Sequence, residues 1–132
     1  MVFEESVVVT KPFEEALAEV KKLLAAEGFG TLTEIDLQAT LQEKVGKKIG
    51  RYVILGACNP ELASRAIDVE PQVGVLLPCN VVVREVPSGV LVEAMDPGIV
   101  ATFVEREEMR AVVGEARRLI GNALGLLSLS AA

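Results

Sequence analysis

The chain has 132 residues and a net charge of −6, with 51% apolar and 24% charged residues. That length and apolar share give a single domain, residues 1–132, and exclude an intrinsically disordered chain. Charged residues interrupt every apolar stretch, so no membrane span is expected, and the acidic balance argues against a nucleic-acid binder, which needs a surplus of Lys and Arg. There is no His anywhere, which removes the commonest general base and the commonest metal ligand together.

The start, Met1-Val2-Phe3-Glu4-Glu5, places acids where a secretion signal needs cations. The expected location is the cytoplasm, where Cys58 and Cys79 would be free thiols. Residues 3–9 are Val-rich and read as a strand. Thr10 is then placed as the N-cap of a helix with Pro12 in its first turn. Phe13, Ala16, Leu17, Val20, Leu23 and Leu24 mark that helix's inward face, and Gly28 stops it.

Residues 31–35 form the next strand, and Asp36 caps a short helix closed by Gly46. A basic turn holds Lys44, Lys47, Lys48 and Arg51, and the apolar run 51–56 is the third strand. Asn59-Pro60-Glu61 combines a cap, a Pro at the first helical position and an early carboxylate, a strong helix start. The helix carries Leu62, Ala63, Ala66 and Ile67 inward. Residues 73–86 read as one long strand broken or bulged at Pro78, and Pro87-Ser88-Gly89 turns it into a hairpin with residues 90–95.

Asp96-Pro97 caps a brief helical segment through Phe103. A long amphipathic helix follows, marked by Met109, Val112, Val113, Ala116, Leu119, Ile120 and Ala123. The residues after Leu124 are expected to be a frayed end. The order β-α-β-α-β-α-β-β-α fits an α+β fold, mostly antiparallel, with two long helices on one face of the sheet and short inserted helices.

Gly56-Ala57-Cys58-Asn59-Pro60-Glu61-Leu62-Ala63, then Gly74-Val75-Leu76-Leu77-Pro78-Cys79-Asn80-Val81-Val82-Val83, then Met95-Asp96-Pro97, carry a resemblance, joined by Glu34-Ile35-Asp36 and Lys44. The chain resembles the domain of unknown function 302 family of small bacterial and archaeal proteins. The resemblance implies a TATA-binding-protein-like α+β domain with a strongly curved sheet. It assigns no catalytic residue.

Four features carry candidate chemistry. Cys58 lies just before a helix N-terminus, whose partial positive charge favours a thiolate; a small buried side chain at a turn is the plainer account. Cys79 lies in an apolar run and is expected to be buried. The two thiols, with Met95, could hold a soft ion such as Cu(I) if strands three and four are neighbours, although their spacing matches no metal motif and no metal is assigned. Asn59 is explained by capping, whereas Asn80 inside an apolar run is expected to be a buried amide in need of partners. Lys48 and Arg51, with Lys47, could receive a small anionic ligand, the alternative being a solvated charged face.

The leading expectation is therefore a binding or interaction domain, homodimeric, with its site around residues 56–60 and 78–80. The alternatives are a thiol-dependent or redox enzyme using Cys58 and a soft-metal or small-ligand carrier. The cofactor is left open.

Overall fold

The computed structural model describes residues 1–131. Five strands form one sheet: β1 (Val7–Val9), β2 (Gly30–Asp36), β3 (Tyr52–Cys58), β4 (Cys79–Val86) and β5 (Gly89–Ala94). Their order is β1-β5-β4-β3-β2, and every neighbouring pair is antiparallel. The long helices are α1 (Phe13–Ala26) and α5 (Glu107–Leu129). The shorter ones are α2 (Leu37–Val45), α3 (Pro60–Val69) and α4 (Gly98–Phe103). The α+β architecture is the expected one.

Period-two alternation decides which face of the sheet is covered. Val9, Val53, Leu55, Val81, Val83, Val90 and Val92 are buried and meet Ala16, Leu17, Val20 and Leu24 of α1 and Ile120, Ala123 and Leu124 of α5 in one core. Leu23 and Leu119 are only half-buried at its margin. The opposite face of β3, β4 and β5 carries half-buried side chains such as Ile54, Val82 and Leu91.

The capping residues read from sequence act where local chemistry dictates. Asp36 Oδ1 accepts from the Ala39 N–H at 3.0 Å and starts α2, and Gly46 ends it in the left-handed region, φ 66°. Gly28 has φ 85° where α1 turns into β2, a geometry that only Gly adopts freely.

Five sequence expectations are corrected. Thr10 does not cap α1, whose N-cap position is Pro12; its N–H and Oγ1 both donate to the Ala131 carbonyl at 3.0 Å, tying β1 to the chain's far end. The first strand is shortened to Val7–Val9 because the chain leaves the ladder after Phe3, whose N–H donates to Ala94. Residues 73–76, expected as the start of a strand, belong instead to a 3-10 segment, Pro71–Leu76. Glu70 caps it by accepting from the Gln72 N–H at 3.1 Å, so turn chemistry overrides the β-branched composition. Ile67 is 46% exposed: Leu62 and Ala66, one turn apart, define the buried stripe of α3, and Ile67 lies about 100° round from Ala66. The C-terminal residues are not frayed at Leu124, since α5 runs to Leu129 with Leu124 and Leu127 in the core.

Candidate functional site

The turn from β3 into α3 is built by Asn59. Its Oδ1 accepts from the Leu62 N–H at 3.2 Å, and Pro60 supplies the preset φ of the first helical position. The same side chain lies over the α1–β2 turn, its Nδ2 3.4 Å from the Glu27 carbonyl. A Cβ at Gly28 would meet that Nδ2 at 2.8 Å. Gly28 is glycine for space as well as for φ. Asn59 is therefore engaged by the backbone, as its capping pattern implied.

Ala57 pairs with Cys79 across the β3–β4 ladder. Strands in a ladder lie about 4.8 Å apart, so Cys58 and Cys79 stand on neighbouring strands, one residue out of register. The condition set by the sequence, neighbouring strands, is met, but strand alternation turns the Cys58 side chain to the face of the sheet opposite that of Ala57 and Cys79. Both cysteines line a pocket of about 50 Å³ between this end of the sheet and α3, α4 and α5. Its walls include Leu62, Ala66, Val73, Val100 and Val113, and Met109 of α5 joins the two cysteines there. The Leu77–Pro78 bond at its edge is cis.

Cys79 is buried and Cys58 half-buried. Burial pushes the Cys79 thiol up to about 11, and the neighbouring Cys58 acts in the same direction. Cys79 is thus protonated at neutral pH. No carboxylate, Lys, Arg or Tyr lines the pocket, so the two thiols are its ionisable groups.

Two sequence-selected residues, Asn80 and Met95, lie outside the pocket. Asn80 is exposed, which corrects the expectation of a buried amide. Side chains alternate along β4, so burying Cys79 turns Asn80 outward. Its backbone carbonyl accepts from the Met95 N–H at 2.9 Å. Met95 is half-buried on the strand-edge segment that bridges Val2, and it does not line the pocket. The pocket's other sulfur-bearing residue is Met109, whose place on the buried stripe of α5 was the sole sequence signal.

Lys48 and Arg51 flank the opposite end of β3. Seven residues at about 3.3 Å each separate that end from Cys58 by roughly 20 Å, so the basic cluster and the cysteines are two places. Arg51 is already occupied. Its guanidinium pairs with Glu14 at 2.6 Å and stacks over the Phe13 ring at 4.2 Å, and its N–H donates to Glu85 at 2.7 Å. Lys47 and Lys48 are exposed. The Lys48 side of this end forms an open surface depression with Gln38, Gln42 and Ile49.

Among the described residues, no helix is long and apolar enough to cross a membrane. A comparison with curated proteins gives no significant match. An uncharacterised conserved DUF302 protein from Bacillus stearothermophilus has a crystal structure with a TM-score of 0.82 to this chain. The two are 24% identical over 96% of each chain, a likeness that speaks for the fold. The family model described as Domain of unknown function DUF302 matches residues 5–127, and the chain belongs to that family.

Proposed function

We propose that this chain is a small binding domain whose site is the pocket beside Cys58 and Cys79. The observation that carries the reading is the pocket itself, about 50 Å³ of apolar-lined space at the edge of the core. Protein interiors pack with few such voids.

Size restricts the occupant. Pockets for nucleotides and comparable ligands hold roughly 300–1,000 Å³, so this one suits a compact group of a few atoms, apolar or soft. A thiol enzyme has less support, since a base to take the Cys58 proton is needed and none lines the walls. An anion at Lys48 is a weaker proposal for the same kind of reason: Arg51, its intended second arm, is held by Glu14.

Xenon is a suitable probe for a small apolar void. Methyl NMR under xenon pressure should give saturable shifts at Ala66, Val100 and Val113, abolished in Ala66→Leu, which fills the space. Shifts that never saturate, or that persist in Ala66→Leu, would refute the pocket as a binding site.

A second proposal is association into a homodimer through the sheet face opposite α1 and α5. The uncovered row of Ile35, Ile54 and Val82 on that face supports it.

A further inference from the structure

We infer that the pocket receives the end of an unbranched alkyl or acyl chain, whose next methylenes cross an apolar apron made by Ile67 and Phe103. The inference rests on the reading of this pocket as a ligand site and names the ligand's chemistry. Two short helices wall the pocket, and each carries its apolar surface one turn further. Ala63 of α3 lines the pocket, and Ile67 follows it at the i+4 spacing that stacks side chains on one helical face. Val100 of α4 lines the pocket, and Phe103 follows it at the equivalent i+3 spacing. Ile67 is 46% exposed and Phe103 70%, and the core uses neither.

A hydrogen bond brings the two residues to one junction. Arg106 Nη1 donates to the Val69 carbonyl at 2.6 Å, which holds the link between α4 and α5 against the end of α3. Ile67 lies two residues before that carbonyl and Phe103 three before that arginine. Burial marks the way in. Most of the lining is buried, whereas Cys58, Asn59, Ala63, Leu77 and Pro78 are half-buried. The pocket therefore opens between α3 and the segment before β4, and Ala63 joins that rim to Ile67.

The lining selects the ligand. It contains no charged side chain, and its one amide, Asn59, is engaged by the Leu62 N–H and the Glu27 carbonyl. A polar group at the inner end would lose its water and find no partner, so that end is hydrocarbon. About 50 Å³ holds a few carbons, and the rest of the ligand lies outside. A compact ligand would leave Ile67 and Phe103 in water, whereas a chain covers them. Glu61, Arg65 and Asp68 alternate in sign along the exposed surface of α3, so charge does not select the head group.

The test titrates the full chain with primary alkanols from propanol to octanol, followed by methyl NMR and calorimetry. Each added methylene should tighten binding about fourfold, and the gain should continue beyond the length that fills the pocket. Ile67→Ser and Phe103→Ser, at exposed positions and compatible with folding, should leave the short alkanols unchanged and flatten the gain for the long ones. Ala66→Leu should abolish binding of the whole series. A series that stops tightening at its short members, long members indifferent to both Ser variants, or binding that survives Ala66→Leu overturns the assignment. A protein that takes up xenon and refuses every alkanol loses the alkyl site and keeps the pocket; one that refuses both loses both.

Discussion

Arg117 of α5 forms an ion pair with Asp96, the residue that also accepts the Gly98 N–H at 2.8 Å where α4 begins. One carboxylate thus fixes two helices beside the pocket, whose walls include Pro97 and Val100. The same guanidinium reaches Glu4 at 3.0 Å and lies over the Phe3 ring at 5.1 Å. The Asp96 N–H donates to the Met1 carbonyl at 2.8 Å. The N-terminal segment is therefore held by the same junction.

That junction gives a pH prediction. Burial raises the Asp96 carboxyl, but the Gly98 N–H and the Arg117 guanidinium outweigh it and hold the group below its ordinary value. A depressed folded pKa contributes stability above the unfolded value of ~3.9, and loses it as pH falls through the lower folded value. Asp96→Ala should cost about 1–2 kcal/mol at pH 7, mostly as a lost cap, and the gap to wild type should begin to narrow as pH falls below about 4. Urea melts across pH 3–7 would show it. A gap that is constant over that range would mean the carboxylate is not what holds the junction.

Gly56 supports a second prediction, about space. A Cβ there would collide with Thr33 Oγ1 and meet Pro78 Cγ at 2.9 Å, although the backbone at this position is ordinary strand. Gly56→Ala should cost about 1–3 kcal/mol through overpacking. Adding Thr33→Ala removes the nearest atom, so the double variant should recover part of the loss. Strict additivity in the thermal melts would locate the strain elsewhere.

Much of this molecule was legible because caps are local. Asp36, Asn59 and Asp96 each announce a helix within three residues, and each accepts the expected N–H. Residues 73–77 misled because Val and Leu favour strand by composition, while Glu70, Pro71 and Gly74 carry the turn. Asn80 misled because the inward face of β4 depends on its register with Ala57 and Gly56, which is a long-range fact. Met109 was invisible as a site residue for the same reason: thirty positions after Cys79, only packing brings it to the pocket.

The core gives a third prediction, which separates periodicity from burial. Leu23 and Leu24 both fall on the apolar face of α1, yet Leu24 is 2% exposed and Leu23 half-buried. Leu24→Ala should cost ~2–5 kcal/mol through lost contact and cavity, and Leu23→Ala clearly less. The same contrast is expected between Leu127 and Leu119 of α5. Equal losses within each pair would mean that α1 and α5 are rotated from the orientation described above.

The last prediction concerns the bare sheet face. Ile35, Ile54, Val82 and Glu93 stand in one row across β2, β3, β4 and β5, and Val8, Leu91, Arg84 and Tyr52 form the next. Val8 is 40% exposed and Ile35 45%. Arg84 and Glu93 pair at 3.0 Å in the middle of this apolar surface. A face with both signs at one spot is self-complementary: about a two-fold axis, each copy's arginine can meet the other copy's glutamate. The homodimer proposal rests on this face, half-buried at its centre and exposed at its two edges. Sedimentation at micromolar concentration should give a dimer, and Ile54→Lys should give a monomer with unchanged far-UV circular dichroism. The weakening should reach at least tenfold, since a buried Lys opposite its own copy costs more than about 1.4 kcal/mol. A wild-type monomer at that concentration, or a dimer indifferent to Ile54→Lys, would leave this face to solvent.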